Sequence, residues 1–278
     1  MTIVVTVKIN DGIVLASDSA TTFHDQQGVP VKIYNSANKV FNLVKGLPIG
    51  GLTWGAGGIG AASISTISKD LRRRFSGDDP QRPDWRLNPN NYTMEGVAQK
   101  AREFFFDELY KGEYGDKPPT GFFLGYKICG YSAGAPLPEL WHFTINGDVC
   151  EPPKMMRAQT DFGPNWDGEY EAMDRLILGI GSNFKKVLLI DDGLTEQQAE
   201  NANSVVIGKL NVPVVLAAMP IQDAIELATF MVETTIRFVR FNLRAETVGG
   251  PAEVAVITKH EGFKWVRRKL FFTVDLNP

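Results

Sequence analysis

The apolar pattern of the N-terminal part of the chain predicts two β-hairpins. Residues 3–9 alternate between two faces, which is the period of a strand. Asn10-Asp11-Gly12 is a hairpin turn signal, and residues 13–16 form a second strand, apolar on both faces as in the middle of a layered fold. Residues 39–44 and 49–54 predict the second hairpin. The two faces of the first strand carry Ile3, Val5, Val7 and Ile9 on one side and Val4, Thr6 and Lys8 on the other.

The rest of the chain alternates between pairs of helices and groups of strands. Apolar spacing predicts helices over 59–75, 93–110, 195–210 and 221–241, and strands over 121–131, 139–145, 149–157, 252–258 and 264–274. Blocks of this kind favour two packed sheets between helix pairs over a βαβ alternation. We therefore expect an α+β fold, a four-layer αββα sandwich, in one domain over 1–278. The polar stretches near 76–91 and 160–170 are interpreted as surface insertions.

Charge and hydropathy exclude several classes of function. The formal net charge is -3, and the basic run Arg72-Arg73-Arg74 is only three residues long, so neither a nucleic acid nor a membrane surface is an expected partner. The start MTIVVTVKIN does not resemble a signal peptide, and no apolar stretch approaches the roughly 20 residues that cross a bilayer. A cytoplasmic location is expected.

Cysteine and histidine usage argue against a metal site or a histidine-based catalyst. Cys129 and Cys150 are the only cysteines, without a zinc-type spacing, so no metal and no disulfide framework is predicted. A Ser-His-Asp or Cys-His enzyme would need a histidine beside a nucleophile. The three histidines lie in a polar loop, a strand-like segment and a turn, and are interpreted as structural: His24, His142 and His260.

The residue after Met1 offers a different nucleophile. Thr2 is small, so removal of Met1 is expected to expose a free α-amine beside the threonine hydroxyl. That amine titrates at about 7.7–8.0 and can accept the hydroxyl proton, so one residue supplies both nucleophile and base. Many proteins begin with Met-Thr, so the interpretation depends on the residues that follow.

Five further motifs follow Thr2 in order along the chain. They are Asp18, sixteen positions after Thr2; Lys39 within NSANKVFNL; the turn Gly55-Ala56-Gly57; Gly179-Ile180-Gly181-Ser182; and Gly249-Gly250 before residues 251–258. Together they resemble proteasome β subunits and the peptidase subunit of the bacterial ATP-dependent two-component protease. The resemblance runs from end to end and implies an N-terminal-nucleophile hydrolase of the threonine type.

The resemblance assigns a role to each motif. The Lys39 ammonium would lower the pKa of the Thr2 hydroxyl and keep the α-amine neutral, while Asp18 would hold Lys39 charged and oriented. The N–H of Gly57 would act as an oxyanion donor, and Thr22 would bind extended substrate through its backbone. The similarity also implies that Ser182 supports the threonine amine. No metal or organic cofactor is implied.

Two positions depart from the family pattern. An aspartate and a serine expected before the final Gly-Gly pair are replaced by Ala245 and Val248, and Glu246 is displaced by one place. The chain is also longer than typical β subunits, with extra sequence near 76–91, 160–170 and 183–212. These departures place it among divergent bacterial proteasome homologues.

The sequence therefore predicts a threonine-type peptidase that cleaves amide bonds of peptides or unfolded proteins with Thr2. It is expected to form a homo-oligomeric ring of at least about six subunits, with a partner ATPase left open. Two alternatives remain at this point: a catalytically inactive scaffold subunit, and an amidase that acts on a small-molecule amide.

Overall fold

A computed structural model describes residues 2–25, 29–115 and 117–269. Its strands are β1 (Ile3–Ile9), β2 (Gly12–Ser17), β3 (Thr21–His24), β4 (Pro30–Tyr34), β5 (Val40–Asn42), β6 (Ile49–Gly55), β7 (Gly58–Ile59), β8 (Ala62–Ser63), β9 (Phe123–Gly130), β10 (Glu139–Asn146), β11 (Lys154–Arg157), β12 (Gly163–Gly168), β13 (Glu253–Thr258) and β14 (Gly262–Arg267). Its helices are α1 (Ile64–Ser76), α2 (Met94–Arg102), α3 (Lys111–Tyr114), α4 (Glu171–Met173), α5 (Phe184–Ile190), α6 (Glu196–Leu210) and α7 (Ile221–Arg240). Short helical stretches of other types are Pro83–Trp85 (3₁₀), Glu103–Tyr110 (π) and Asp174–Leu178 (π).

Two five-stranded sheets carry most of the β structure. The first has the order β12-β1-β2-β13-β14 and the second the order β11-β10-β9-β6-β5. Every neighbouring pair in both sheets is antiparallel. Two two-stranded ribbons, β3-β4 and β7-β8, accompany them. The predicted α+β class, with antiparallel sheets and helices, is confirmed.

Three hydrophobic clusters hold these elements together. One joins side chains of both sheets, among them Val4, Leu15, Leu52 and Trp54. A second packs α1, α2 and the following π-helical stretch against the second sheet. The third packs α4 and α7 against the first sheet. Each sheet thus has apolar side chains on both faces, which is why inner strands such as β1, β2 and β13 are nearly continuous apolar runs.

Strand β1 is buried on both faces, including the side that the sequence marks as more polar. Thr6 and Lys8 are both 1 % exposed. The Lys8 ammonium donates to the carbonyl oxygens of Ala158, Gln159 and Asp161 at 2.5–2.8 Å. A buried ammonium needs such acceptors, because an unpaired charge in the interior is very costly. Lys8 therefore ties the loop that leads into β12 to the middle of the sheet.

The interpretation of residues 160–170 as a surface insertion is wrong. This segment contains β12, which pairs with β1 from Ile3 opposite Gly168 to Lys8 opposite Gly163. Its glycines, proline and polar residues are those of an edge strand, where one side needs no ladder partner. Composition alone resembled a loop, and the pairing that makes it a strand is with residues far earlier in the chain.

The other two predicted insertions differ from each other. Within 76–91, Trp85 and Leu87 are 2 % and 8 % exposed and join the cluster on the second sheet, so this segment is anchored in the core. The guanidinium groups of Arg74 and Arg82 lie over the Trp85 ring. Within 183–212, by contrast, α5 buries no residue and α6 buries only Ala199.

Several element boundaries differ from the predictions. His24, which the sequence analysis places in a polar loop, ends strand β3. The helix predicted from residue 59 begins at Ile64, after the β7-β8 turn and the N-cap Ser63. The strand predicted over 149–157 covers only β11. Strand β14 ends at Arg267, and residues 270–274 of its predicted extension lie outside the described residues.

Candidate active site

The register of the first hairpin places Asp18 beside the start of β1. Val4 is opposite Ser17, and beyond this pair the amide of Asp18 donates to the Ile3 carbonyl at 3.3 Å. The Ile3 amide returns a hydrogen bond to Asp18 Oδ1 at 3.1 Å. Thr2, the next residue, is 5 % exposed. Met1, whose removal the sequence predicts, lies outside the described residues.

Lys39 connects the Thr2 hydroxyl to the Asp18 carboxylate. Its Nζ lies 2.7 Å from Thr2 Oγ1 and 2.7 Å from Asp18 Oδ1. The side chain of Lys39 is 7 % exposed and that of Asp18 is fully buried. The structure therefore brings together three residues that the sequence singled out, as a buried series of hydroxyl, ammonium and carboxylate groups.

Every oxygen of the Asp18 carboxylate is engaged. Besides Ile3 and Lys39 on Oδ1, Oδ2 accepts from the amide of Ala20 at 3.0 Å and from that of Gly249 at 3.1 Å. A buried carboxylate with this many donors is a compensated anion with a fixed orientation. It can therefore hold the Lys39 ammonium in one place.

Burial lowers the pKa of Lys39, because a charged ammonium loses its hydration there. The negative charge of Asp18 and its hydrogen bond to Lys39 oppose that effect, and so does the charge of Glu253. The positive charge of Lys269 lowers the pKa of Lys39 further. A cation with a lowered pKa that donates to a hydroxyl is suited to stabilise the alkoxide of that hydroxyl.

The Gly249-Gly250 pair closes the site behind Asp18. The amide of Ser19 donates to the Gly249 carbonyl at 2.9 Å, while the Gly249 amide reaches Asp18. Gly250 has φ +73°, and a Cβ there would lie 2.7 Å from the Asn35 carbonyl oxygen. Only glycine satisfies both the backbone conformation and the close approach.

Gly57 lies beside Thr21, the residue that precedes Thr22 in β3. Thr21 Oγ1 is the nearest atom to a Cβ placed on Gly57, at 3.4 Å. The Gly57 carbonyl accepts from the Ile64 amide, whereas its own amide has no hydrogen-bond partner among the described residues. Thr22 pairs with Ile33 in the β3-β4 ribbon, and its hydroxyl is buried without a partner in the part of the chain that the structure describes.

The structure does not bring Ser182 into this cluster. Ser182 is exposed, and both its amide, at 2.8 Å, and its hydroxyl donate to Glu171 Oε2. No hydrogen bond of the described residues joins it to Thr2, Asp18 or Lys39. The Gly-Ser motif follows a π-helical stretch near the molecular surface and serves local structure there.

Glu169, which the sequence analysis missed, lies against Thr2. Its amide donates to the Thr2 carbonyl at 2.7 Å, and its carboxylate, 5 % exposed, accepts from Arg244 Nη2 at 2.7 Å. Gly168 has φ +91°, and a Cβ on it would lie 1.8 Å from the Thr2 carbonyl oxygen. The alternation of Asn165 and Asp167 with less polar neighbours is the one sequence signal of strand β12. The many polar residues and glycines of this segment favour a loop instead.

The positions that depart from the family pattern make no hydrogen bond to Thr2 among the described residues. Val248 is 1 % exposed in the cluster beneath α7, while Ala245 and Glu246 are exposed. Glu246 lines a surface cavity of about 370 Å³ with Gly249 and Gly250, and makes no described hydrogen bond to Thr2.

Within 2–25, 29–115 and 117–269, no group of three or more His, Cys, Asp or Glu side chains could hold a metal ion. In the same part of the chain, no helix has both the length and the apolar character needed to cross a bilayer.

Comparison with known proteins identifies the fold. No protein-family model matches the chain, and no curated protein does. It is similar to the solved structure of Anbu (ancestral beta-subunit) from Yersinia bercovieri, with 19 % identity over 96 % of this chain and 88 % of that one, at a TM-score of 0.53. An Anbu (Gly-1) mutant from Hyphomicrobium sp. strain MC1 is similar at 16 % identity, over 97 % and 86 %, with a TM-score of 0.53.

A third similar structure is the helical assembly of the Anbu complex from Pseudomonas aeruginosa, at 18 % identity over 98 % and 88 % of the two chains and a TM-score of 0.52. These likenesses show a shared fold. They also correct the predicted family: the similar structures are Anbu proteins, which are proteasome-like but distinct from proteasome β subunits. The Thr-Asp-Lys pattern follows from the strand arrangement around Thr2, and a fold can carry such a pattern in more than one family.

Proposed function

We propose that the chain is a hydrolase of amide bonds whose nucleophile is the hydroxyl of Thr2 after removal of Met1. The observation that carries the proposal is the position of Lys39 Nζ, 2.7 Å from both Thr2 Oγ1 and Asp18 Oδ1 in a buried site. A buried ammonium aimed at a hydroxyl is costly to keep. A scaffold subunit does not need a buried ammonium at this position, whereas a threonine nucleophile needs one to stabilise the charge on its oxygen.

In the proposed reaction, Thr2 Oγ1 attacks the carbonyl carbon of the substrate and its proton passes to the free α-amine. Lys39 stabilises the developing charge on Oγ1, and the Gly57 amide donates to the oxyanion. Collapse of the tetrahedral intermediate breaks the C–N bond, and the α-ammonium gives its proton to the leaving amine. Water then attacks the acyl ester with the α-amine as base, releasing the acid and restoring Thr2.

Support for the α-amine is assigned to Glu169. Its backbone is already bound to the Thr2 carbonyl, and its carboxylate is buried and oriented by Arg244. A carboxylate near the amine would stabilise the ammonium form that the first step creates. This pair would replace the aspartate and serine whose positions hold Ala245 and Val248.

Peptides are the proposed substrate class. Strand β3 pairs only with β4 among the described strands, so its other edge has free backbone groups for an extended chain. Thr22 lies in this strand, and Thr21 lies beside Gly57. A substrate strand along this edge would therefore run toward the proposed oxyanion donor. A smaller amide would use less of that edge.

Mass spectrometry after incubation with a β-lactone that acylates threonine hydroxyls tests the proposal. We expect loss of Met1 and a single adduct on Thr2 of the parent, and no adduct on Thr2→Ala. A parent that retains Met1 quantitatively and gains no adduct would favour the scaffold role instead. Turnover of fluorogenic peptides against turnover of small anilides would then separate peptidase from amidase.

We also propose a homo-oligomer, since one structure of similar fold is a helical assembly. A head-to-tail contact closes into a ring or continues as a helix, depending on its rotation. Light scattering with electron microscopy distinguishes these states, and a monomer at all micromolar concentrations would contradict the proposal. A partner ATPase stays a prediction.

We also propose a four-layer sandwich, a single domain and a cytoplasmic location for this chain. The three hydrophobic clusters support a four-layer αββα sandwich in a single domain, with α5 and α6 as its peripheral addition. The two cysteines, Cys129 and Cys150, are buried and unpaired, which suits a cytoplasmic chain. Limited proteolysis that released a stable fragment would argue against the single domain.

A further inference from the structure

A second lysine, Lys269, lies behind the Asp18–Lys39 pair. It follows β14, and its side chain is 10 % exposed. Its ammonium donates to Ser19 Oγ at 2.6 Å and to the Ala37 carbonyl at 2.7 Å, and lies 3.0 Å from Glu253 Oε2. Three acceptors from three separate parts of the chain thus meet on one cation.

Each acceptor is a close neighbour of the site along the chain. Ser19 directly follows Asp18, and Ala37 precedes Lys39 by two residues. Glu253 is 1 % exposed and lies opposite Ser17 at the start of β13. The contacts continue from these acceptors, because the Ser19 hydroxyl donates to the Pro251 carbonyl at 2.5 Å and the Ala37 amide donates to the Ser19 carbonyl at 2.9 Å.

A purely structural role would require only a donor at this point. The arrangement contains more than that, since a full positive charge and a full negative charge lie beside a catalytic ammonium. Lys39 is faced by Asp18 from the end of β2, by Glu253 from β13, and by Lys269 from the segment after β14. The charges of Lys269 and Glu253 have opposite effects on the pKa of Lys39, so the protonation of Lys39 depends on the balance between them.

We propose that Lys269 and Glu253 are positioning residues of the proposed hydrolase, which fix the Lys39 segment against Asp18 and set the protonation of Lys39 through their opposed charges. The inference rests on the proposed function, because Lys39 must serve Thr2 for its protonation to matter. Neither residue touches the reacting atoms, so both act through Lys39 and the Ser19 backbone.

The charges predict shifts of opposite sign. Burial is the largest cause that lowers the pKa of Lys39, the charge of Lys269 lowers it further, and the charge of Glu253 raises it. Removing the positive charge in Lys269→Met should raise the pKa of Lys39, so the alkaline loss of Thr2 acylation moves to higher pH. Removing the negative charge in Glu253→Gln should lower that pKa and move the same limb to lower pH. Each shift is expected to be about 0.5–1 pH unit.

The experiment measures the rate of Thr2 acylation by a β-lactone against pH for the parent, both variants and the double variant. In the double variant both charges are gone, so the limb should return close to that of the parent, while the rate at neutral pH falls about tenfold because the tie to Ser19 and Ala37 is lost. Lys264→Met is the matched control, since Lys264 is an exposed lysine of β14. Circular dichroism confirms that each variant is folded.

Direct titration of Lys39 separates failure of this inference from failure of the proposed function. NMR of ¹³C-labelled lysine, with Lys39→Met for assignment, reports the Lys39 pKa whether or not Thr2 reacts. Acylation of the parent with no shift in either variant would overturn the positioning role alone. Opposite shifts without any acylation of the parent would support the charge pair and overturn the hydrolase.

Discussion

The two flanks of Thr2 are built differently. On the hydroxyl flank, Lys39 and Asp18 come from neighbouring segments of the chain and are buried. Both carboxylate oxygens of Asp18 accept hydrogen bonds. On the carbonyl flank, Glu169 reaches Thr2 from β12, and its partner Arg244 is 37 % exposed. The side chains of the hydroxyl flank are therefore held in one arrangement. We expect substitutions of Glu169 and Arg244 on the carbonyl flank to lower activity less than substitutions of Lys39 and Asp18. Four predictions test this difference, in decreasing order of expected effect.

Removing the proposed nucleophile, Thr2, should have the largest effect. Thr2→Ala should abolish hydrolysis and covalent labelling, a loss of at least about 10³-fold, because no other group supplies the attacking oxygen. Thr2→Ser keeps hydroxyl and amine and should retain part of the activity. Peptide turnover and inhibitor adducts measure both. Parental turnover in Thr2→Ala would remove Thr2 from the mechanism, as would full activity in a variant with an uncleaved residue before Thr2.

Breaking the hydroxyl flank comes next. Lys39→Ala should abolish turnover with little loss of fold, and Asp18→Asn should lower turnover strongly by leaving Lys39 misoriented. In Asp18→Asn the alkaline limb of the pH profile should also move to lower pH, because the Asp18 charge raises the pKa of Lys39. Steady-state rates across pH check this. An unchanged rate in Lys39→Ala would contradict the role of Lys39.

A third variant tests how closely β12 must approach Thr2. Gly168→Ala introduces a Cβ 1.8 Å from the Thr2 carbonyl oxygen at φ +91°. The backbone conformation alone costs about 1–3 kcal/mol, and a displacement of Thr2 should lower turnover by about 10²-fold. Gly147→Ala is the matched control, because Gly147 has φ +58° and open space around it. Equal turnover in the two variants would show that this contact does not position Thr2.

The smallest effect is expected on the Glu169 flank. Glu169→Gln and Arg244→Met should each lower turnover by about threefold to tenfold, since Arg244 is part-exposed and solvent screens its charge. The acidic limb, which follows the α-amine, should move to lower pH in Glu169→Gln, because the lost negative charge had favoured the ammonium. Glu246→Gln serves as the control, because Glu246 is an exposed carboxylate two residues after Arg244. If the acidic limb of the pH profile does not move in Glu169→Gln, Glu169 has a structural role only.

The sequence predicted the hydroxyl flank because its information is local. A strand, a turn and a strand fix Asp18 beside Thr2, and the next hairpin begins just after Lys39. The family resemblance points to Ser182, whereas Glu169 goes unnoticed because the register of β12 against β1 is a pairing across most of the chain. The short alternation of Asn165 and Asp167 is too weak a signal to reveal that pairing. The amphipathic helices 195–210 and 221–241 agree closely with α6 and α7. Lys269 showed no signal at all, since a lysine after a terminal strand is ordinarily solvated.

The separation of the site residues along the chain has a consequence for unfolding. Thr2 accepts hydrogen bonds from Lys39 and Glu169, and Asp18 accepts one from Gly249. The residues of the site therefore come from segments spread over most of the chain. Sites of this kind have no local unit that opens alone, because each contact depends on the cooperative assembly of the sheet. Loss of the proposed activity in denaturant should therefore coincide with the global transition of the sheet. The amide hydrogens of Asp18, Glu169 and Gly249, which are hydrogen-bonded at the site, should exchange among the slowest in the molecule.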